Sequence, residues 1–196
     1  MTPASPNPDR RNENSRRAIL DATIELTSTM GYGKVTIERI AAAAGVGKQT
    51  IYRWWPSKAV LALEAINDYV GEATDFPDTG DITKDLVAQM AGVIGLLNGN
   101  IGAVLRGTIA EAQSDPTIQA AIRDTIVEPR TDMCVIRLAK AVEAGQLRPV
   151  MPLREMVELI YAPVYYRLLL GTDELKPADA SAFVANAMAG LDPAGG

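Results

Sequence analysis

The chain has 196 residues, a formal net charge of −5 at pH 7, no histidine and a single cysteine. A chain of this length forms one large domain or two small ones, and it buries enough surface to fold without a disulfide or a structural metal. Because histidine is absent and Cys134 stands alone, the chain by itself offers no Cys/His zinc site, no disulfide framework and no catalytic histidine. We therefore expect no metal, no cofactor and no catalytic residues.

The N-terminal segment MTPASPNPDRRNENSRR is polar and lacks the apolar run of a signal peptide or a membrane anchor. No later stretch reaches the length of a membrane span without a charged residue. A single cysteine suits a reducing compartment. We expect a soluble, cytoplasmic protein with no membrane partner, in which Cys134 is a small buried residue; the alternative for Cys134 is a redox sensor.

The charged residues are unevenly distributed along the chain. Nine basic and five acidic residues precede residue 61, which gives that part a net charge of +4, and the remainder carries −9. A basic head on an acidic body predicts two separate roles within one chain.

Apolar residues at helical spacing, without sustained period-two alternation, predict an all-α fold of about nine helices. Residues 1–12 are rich in proline and almost free of apolar side chains, so we expect a disordered arm there. Pro129 lies inside the longest predicted helix, where we expect a kink. In chain order, the predicted helices are about 15–31, 37–43, 47–54, one that starts after Pro56 and ends before FPDTGD, 81–97, 101–114, 117–145, 152–171 and 177–191.

The segment VTIERIAAAAGVGKQTIYRWW contains two short helices broken at AGVG. Thr36 is a good N-cap for the first helix, and Gly45 can take the positive φ that the turn requires. Two short helices at a steep angle, joined by a short turn, form a helix-turn-helix, which places its second helix in the major groove of DNA. We therefore predict that this segment binds DNA.

The second of these helices has two different sides on a helical wheel. Ile51 and Trp55 point inward as anchors, and Trp54 lies at the rim of the same contact. Glutamine can bond the edge of adenine, and lysine or arginine that of guanine, each good bidentate pair being worth roughly 1–3 kcal/mol of discrimination. The residues that point outward or can swing to a ligand from the first turn are Lys48, Gln49, Thr50 and Arg53.

Lys58 follows Ser57, the predicted N-cap of the fourth helix. A cation at a helix N-terminus opposes the helix dipole at a cost of about 0.3–1 kcal/mol. A phosphate at that N-terminus would reverse the sign, because the free N–H groups and the lysine would both face an anion. We interpret Lys58 as a phosphate contact, with Thr36 at a second such N-terminus; a solvated lysine is the alternative.

The stretch GYGKVTIERIAAAAGVGKQTIYRWWPSKAVLALEA resembles the DNA-binding segment of the TetR (tetracycline-repressor-like) family of bacterial transcription regulators, over about residues 15–66. In the resemblance, Trp55 takes the place of the family's buried aromatic residue, and Gly47 stands where serine is common. Tyr52 and Lys58 are then expected on phosphate. The resemblance implies DNA contacts from Thr36, Lys48, Gln49, Thr50, Tyr52 and Lys58.

In that family the C-terminal helices form a dimer and a ligand pocket. VELIYAPVYYRLLLG is apolar around most of its circumference, and ADASAFVANAMAGL is rich in alanine and glycine, which permits close approach of helices. Paired across a two-fold axis, these two helices would form a four-helix interface; packing within one chain is the alternative. Such a homodimer would place two recognition helices about 34–36 Å apart, as successive major grooves require.

We accordingly divide the chain into the arm 1–12, a helix-turn-helix DNA-binding domain 13–60, and a helical regulatory and dimerisation domain 61–196. Few charges interrupt the apolar faces of the central helices, so we expect a small, mainly hydrophobic effector. Ordinary core packing is the alternative for each candidate pocket residue. These candidates are Met90, Ile94, Leu105, Ile109, Met133, Ile136, Tyr161 and Tyr165.

The leading hypothesis is a homodimeric repressor that a small molecule releases from a palindromic operator in double-stranded DNA. A helical DNA- or protein-binding module without ligand control is the second hypothesis. The acidic body argues against non-specific coating of DNA, because extended contact needs basic residues over much of the surface. An enzyme is the third; the missing histidine, phosphate-binding loop and metal-ligand spacing argue against it.

Overall fold

The computed structural model describes the backbone of residues 8–191 and the side chains of residues 12–189. This part of the chain is helical and contains no strand, which confirms the predicted all-α fold. A 3-10 turn, Tyr32–Lys34, and a π-helical turn, Arg123–Val127, also occur. The α-helices are α1 (Pro8–Met30), α2 (Ile37–Ala43), α3 (Lys48–Trp54), α4 (Lys58–Val70), α5 (Ile82–Leu97), α6 (Asn100–Ala112), α7 (Pro116–Ile122), α8 (Glu128–Glu143), α9 (Leu153–Leu170) and α10 (Asp179–Leu191).

Helix α1 begins at Pro8, earlier than the predicted start at residue 15. Residues 8–12 are therefore helical and not part of a disordered arm, and residues 1–7 of the predicted arm lie outside the described residues. The apolar periodicity marks only the packed part of a longer helix.

The predicted long helix 117–145 is a run of three segments: α7, the π-helical turn and α8. Counted as one, this run leaves nine helices in the described chain. The irregularity lies in the turn before Pro129, where the sequence predicts a kink. The N–H of Glu128 donates to the carbonyl of Arg123, five residues back instead of four. A proline ring crowds the carbonyl four residues before it and cannot donate to it, and the wider π turn fits that constraint.

The chain packs into two compact units, and the first consists of residues 8–69 together with 103–121. In this unit α1 packs against α2, and α2 packs against α3. Helices as short as α2 and α3, with seven residues each, are not stable alone in water, so these contacts hold them in place. The core of the unit includes Ile19, Leu20, Ile40, Ile51, Trp55, Leu61 and Leu63.

The compact units divide the chain differently from the predicted boundary at residue 60. Most of α4, most of α6 and nearly all of α7 belong to the first unit. Tyr32 packs directly on Gly107 of α6, where an added Cβ would lie 2.3 Å from the Tyr32 Cβ. A boundary at one chain position cannot describe this packing, because α5 separates α6 from the helix-turn-helix along the sequence.

The second unit consists of residues 70–102 together with 122–191 in the described chain. Here α10 packs against α5 and α9, and α8 packs against α9. Cys134 is buried in this unit, as predicted, and burial raises the pKa of its thiol to about 12, so the thiol stays protonated. The core includes Leu86, Met90, Ile94, Leu138, Met156, Ile160, Val164 and Val184.

Among the described residues, no single helix is both long enough and apolar enough to cross a membrane; α5 and α6 reach that length and composition only as a bent pair. Over the same part of the chain, no group of three or more cysteine, aspartate or glutamate side chains is arranged to hold a metal ion.

A buried ion pair joins Asp85 of α5 to Arg137 of α8 in the core of the second unit. The Arg137 Nε lies 2.9 Å from the Asp85 Oδ2, and the two side chains are 5% and 0% exposed. Thr79 donates to the same carboxylate through its Oγ1, at 2.6 Å, and its backbone N–H, at 3.2 Å. Burial alone would raise the pKa of Asp85, but the hydrogen bonds from Thr79 and Arg137 outweigh burial and lower it.

We expect Asp85→Asn to lower the free energy of unfolding by about 3–5 kcal/mol, because Arg137 would keep a buried charge without its counter-ion. Since the pKa of Asp85 is lower in the folded state than in the unfolded state, its contribution is present above about pH 4 and is lost as the pH falls through the folded-state pKa. Urea unfolding over a pH series measures both effects.

The control is Asp124→Asn, which removes an exposed carboxylate 2.8 Å from the Arg123 Nε and should cost less than about 1 kcal/mol. Equal stability of the two variants at neutral pH would contradict a stabilising role for the buried pair.

Candidate functional site

The turn between α2 and α3 is built by local capping. The Thr36 Oγ1 accepts a hydrogen bond from the Arg39 backbone N–H at 3.3 Å and so caps α2, as predicted. At the other end, Gly45 has φ of 67°, its N–H donates to the Ala42 carbonyl, and the Val46 N–H donates to the Ala41 carbonyl. This pair of bonds is a Schellman motif, which requires the left-handed conformation that glycine adopts without strain.

One side of helix α3 is buried in the core of the first unit. Ile51 is 0% exposed and Trp55, its C-cap residue, is 1% exposed, as the helical wheel predicts. Trp54 is half-buried and meets the Trp55 ring edge-on, with 5.3 Å between ring centroids and 84° between planes. The two tryptophans therefore fix the orientation of α3.

A hydrogen-bonded carboxylate secures this anchor. The Trp55 Nε1 donates to the Glu64 Oε2 at 2.7 Å, and the Arg16 Nε donates to the Glu64 Oε1 at 2.8 Å. Arg16 also donates to Asp68 of α4 at 3.1 Å. The indole N–H therefore has a charged partner, which is itself paired, and α1, α3 and α4 are joined through one carboxylate.

The predicted DNA-contacting residues of α3 are exposed or half-buried, whereas Ile51 is fully buried. Tyr52 is 49% exposed, and the Arg53 guanidinium lies 5.3 Å from the centre of the Trp54 ring. Thr50 is half-buried. The exposed members of the predicted set, with Thr36 at the start of α2, are Thr36, Lys48, Gln49, Tyr52 and Arg53.

Lys58 is placed differently from this group. Its Nζ donates to the Tyr32 backbone carbonyl at 3.2 Å, lies 3.9 Å from the centre of the Tyr32 ring, and lies 3.9 Å from the Glu111 Oε2. The side chain is 21% exposed. The sequence predicts α4 correctly, with Ser57 as its cap at 3.2 Å from the Val60 N–H, but not that Lys58 contacts residues of its own chain.

Tyr32 holds this cluster together. Its hydroxyl donates to the Glu111 Oε2 at 2.7 Å, and burial together with this bond raises the pKa of the phenol. The ring is 7% exposed and packs on Gly107, which brings Glu111, one turn further along α6, to the hydroxyl. We call Tyr32, Lys58 and Glu111 the Lys58 cluster.

The second unit contains a cavity of about 370 Å³. Its size is in the range of small-molecule pockets, about 300–1,000 Å³, and its walls are mostly apolar. The Tyr161 hydroxyl donates to the Gln89 Oε1, and the Gln89 Nε2 donates to the Thr74 carbonyl at 3.0 Å. The principal lining side chains are Gln89 and Val93 from α5, Ile126 and Arg130 from the π-helical turn and α8, and Tyr161 and Tyr165 from α9.

Two of the eight predicted pocket residues, Tyr161 and Tyr165, line this cavity. The other six lie elsewhere. Met90 and Ile94 are fully buried core residues, Leu105 and Ile109 lie on α6 in the first unit, and Met133 and Ile136 line a second hollow of about 250 Å³.

In α5 the predicted candidates and the observed lining residues lie on different sides of the helix. Gln89 and Val93, each one residue before a predicted candidate, face the cavity, because one residue corresponds to a rotation of about 100°. A single glutamine within the apolar run LVAQMAGVIGLL was the available signal for this side. The sequence does not predict Arg130 at the cavity, because no local pattern places it there.

A helix-turn-helix that presents polar side chains on its second helix, in a chain whose second unit encloses a cavity, is the architecture of a DNA-binding transcription regulator. The chain belongs to the TetR family of bacterial regulatory proteins. The model of the DNA-binding part of that family matches residues 19–65, and the model described as "Tetracyclin repressor-like, C-terminal domain" matches residues 76–187.

Two relatives and one solved structure illustrate the family relationship. The HTH-type transcriptional regulator YdeS of Bacillus subtilis is 31% identical over 181 residues, covering 92% of this chain and 91% of that protein. The DNA-binding transcriptional repressor TetR of Mycobacteroides abscessus is 28% identical over 82% of this chain and 85% of its own. The crystal structure of the TetR-family regulator SCO0332 is 35% identical with a TM-score of 0.77, over 92% of this chain and 100% of that one. These relatives are transcription regulators and not enzymes.

A more distant structure shares the fold alone. FadR of Bacillus subtilis, solved in complex with stearoyl-CoA, is 17% identical with a TM-score of 0.73, over 90% of this chain and 99% of that one.

We expect Glu111→Gln to tighten DNA binding by about two- to fivefold at low salt, because it removes the negative charge beside Lys58 and leaves an amide oxygen that can still accept from Tyr32. Fluorescence anisotropy with a labelled duplex measures the effect. Glu25→Gln, which removes an exposed carboxylate from α1, controls for the general loss of negative charge in the first unit. The same change in both variants, or none in either, would exclude competition between Glu111 and DNA for Lys58.

Proposed function

We propose that this TetR-family protein is a homodimeric repressor that binds a palindromic operator through α2 and α3 and is released from it by a small, mainly hydrophobic ligand. The observation that carries the proposal is the two-sidedness of α3. One side is fixed by Ile51 and Trp55, while Gln49, Tyr52 and Arg53 are exposed. A rigidly held helix with free polar side chains is what reading of a DNA groove requires. The relative in Mycobacteroides abscessus, a repressor by its name, supports the sign of regulation.

Some of the exposed residues would contact base edges and others would contact phosphates. Gln49, with Lys48 and Arg53, would bond base edges, where their side-chain geometry discriminates between base pairs. Thr36 and Tyr52 would contact phosphates and fix the register without reading sequence. Thr50, which is half-buried at the edge of the same surface, would make a shorter-range contact.

Lys58 would reach a phosphate only by exchanging partners. In the structure its ammonium is bonded to the Tyr32 carbonyl and lies near Glu111. A phosphate offers a charge-assisted bond in place of a bond to a neutral carbonyl, so the exchange is favourable when DNA is close. Lys58 would therefore add affinity for DNA, reduced by the free energy of the contacts with Tyr32 and Glu111 that it gives up.

The exposed side of α9 supports the dimer. Met156, Ile160 and Val164 lie on the buried side of this helix. The opposite side exposes large apolar residues at helical spacing: Leu159 is 42% exposed, Tyr166 58%, Leu169 43% and Leu170 63%. A continuous apolar stripe of this kind on a helix surface marks an association site, and a two-fold axis along α9 and α10 would cover it.

The cavity of the second unit supports ligand control. Its volume of about 370 Å³ and mostly apolar walls fit a small molecule, and FadR, which shares the fold, was solved with stearoyl-CoA bound. A ligand that binds more tightly to a conformation in which the recognition helices no longer match the groove spacing would shift the population away from DNA.

Selection of bound duplexes from a random pool tests the proposal. We expect an enriched palindrome whose half-sites are about one turn of DNA apart. Failure to enrich any sequence at moderate salt would refute specific operator binding, and enrichment of a single half-site would refute binding as a dimer. Retention of the operator by the protein throughout a screen of small hydrophobic molecules would favour a module without ligand control.

We expect Lys58→Ala and Gln49→Ala to weaken DNA binding in different ways. Loss of Lys58 should weaken binding to all sequences alike and reduce the salt dependence by about one unit of slope, since one phosphate contact disappears. Loss of Gln49 should cost about 1–3 kcal/mol on the selected operator and little on random DNA. Anisotropy titrations on both duplexes at several salt concentrations measure this. Equal losses on both duplexes for both variants would contradict the division of labour.

We expect Tyr166→Glu to dissociate the dimer, because it places a charge in the apolar stripe of α9. Size-exclusion chromatography with light scattering should show a monomer at concentrations at which the wild type is dimeric. The matched control is Val150→Glu, since Val150 is 47% exposed in the same unit but precedes α9. Circular dichroism checks that both variants keep their helices. A dimeric Tyr166→Glu variant would place the interface elsewhere.

A further inference from the structure

We propose that the cavity of the second unit binds an amphipathic monocarboxylic acid, whose carboxylate pairs with Arg130 and whose aliphatic or aromatic body lies against the apolar walls. This inference deepens the proposed ligand control and rests on it only for the effect on DNA; binding in the cavity can be tested by itself.

The size of the cavity limits the length of the acid. A volume of about 370 Å³ holds about a dozen groups of the size of a water molecule, each of about 30 Å³. A monocarboxylate with about eight to ten carbon atoms has that many non-hydrogen atoms. A much longer chain would have to leave part of its apolar surface in water.

The walls determine the character of the body. Phe76, Val93, Ile126 and Val157 line the cavity with aromatic and branched aliphatic surface. Burial of methylene groups or an aromatic ring against these side chains is favourable and needs no specific orientation. The apolar part of the ligand is therefore required by the walls but not specified by them.

Arg130 supplies the charged end of the site. It lies in the first turn of α8, where its Nη1 donates to the Ile126 carbonyl at 3.2 Å, and it lines the cavity beside Tyr165. Burial lowers the pKa of its guanidinium, but arginine remains charged at any physiological pH. A carboxylate beside a partly desolvated guanidinium gains a short, charge-assisted bond that neither an alcohol nor an amine can supply.

The other polar groups favour a single acidic group on the ligand. The Gln89 side chain is already bonded at both ends, to Tyr161 and to the Thr74 carbonyl. Burial raises the pKa of both Tyr161 and Tyr165, so both phenols remain neutral. The Tyr161 hydroxyl already donates to Gln89, so Tyr165 is the phenol that donates to a ligand oxygen. Glu158, an exposed residue that also lines the cavity, repels any carboxylate near it, so one carboxylate held by Arg130 is tolerated better than two. A monoacid fits this arrangement better than a diacid.

Isothermal titration calorimetry of the full chain without DNA tests the proposal with three probes of equal length: octanoate, octan-1-ol and octylammonium. We expect octanoate to bind about tenfold or more tightly than octanol, because a hydrogen bond to a charged group adds to the same apolar contact. Octylammonium should bind most weakly. Equal affinity for octanoate and octanol, or a preference for octylammonium, would overturn the proposal without any variant.

Arg130→Met should reduce the affinity for octanoate about tenfold or more and leave the affinity for octanol unchanged, since methionine keeps an apolar stem in the same place. Arg130→Lys should retain part of the preference for the acid, as a point charge without the planar fork. The matched control is Arg123→Met, which removes an exposed arginine that does not line the cavity. Unchanged octanoate binding by Arg130→Met, with a cooperative thermal transition, would refute the role of Arg130.

Release of the selected operator is measured separately, by anisotropy, over the octanoate concentrations that saturate the cavity. Operator release that Arg130→Met abolishes supports the site and the proposed control together. Octanoate binding without operator release supports the site and refutes this acid as the controlling ligand. Operator release by octanol at lower concentration than by octanoate overturns the acid as the ligand class while the proposed ligand control stands.

Discussion

The orientation of α3 depends on one partly buried hydrogen bond, from the Trp55 indole to the carboxylate of Glu64. Seven residues cannot hold a helix in water by themselves, so α3 exists because Ile51 and Trp55 remove its inner side from solvent. Apolar burial alone is non-directional and leaves rotation about the contact poorly defined. The bond from the Trp55 Nε1 to Glu64, at 2.7 Å, supplies a direction, and Arg16 holds the carboxylate from the other side. The exposed side of α3 is thereby aimed at a fixed angle.

The same part of the chain contains a second polar arrangement with the opposite consequence. Glu64 fixes Trp55, which has a structural role, whereas Glu111 and Tyr32 hold Lys58, a residue whose proposed partner is DNA. The two carboxylates are equally exposed, at 40%, but their contacts differ in strength. Glu64 accepts hydrogen bonds at 2.7 Å and 2.8 Å, whereas the Lys58 Nζ lies 3.9 Å from the Glu111 Oε2, beyond hydrogen-bond distance. A partly exposed pair contributes little, so the proposed DNA contact would displace it at small cost. The first unit therefore holds α3 in a fixed orientation and leaves Lys58 with contacts that are easily exchanged.

The parts of this molecule that the sequence predicts well are those set by local chemistry. Thr36, Gly45 and Ser57 act through residues within a few positions, and the two sides of α3 follow from the helical period, so caps, turn and anchor are all readable. The Lys58 cluster joins residues 32, 58 and 111, and no local pattern shows that α6 returns to this place. In α5 the cavity lies on the side of Gln89 and Val93 and not on the predicted side of Met90 and Ile94. Met90 and Ile94 are 0% exposed and lie on the best-buried side, whereas Gln89, which is 8% exposed, and the half-buried Val93 line the cavity.

That last distinction changes what a search for a ligand site should look for. The most apolar positions of a helix pack against other helices and leave no space, so a pocket is bounded by the positions next to them, where polar and charged side chains are tolerated. Arg130 illustrates the point: its stem continues the apolar wall, while its guanidinium, bonded to the Ile126 carbonyl, brings a charge to a mostly apolar space. A charge in such surroundings is costly to desolvate, and an anion brought to it recovers part of that cost. In the proposed ligand site, the apolar walls would set how much of a ligand is buried, and Arg130 would select the ligands that carry an acidic group.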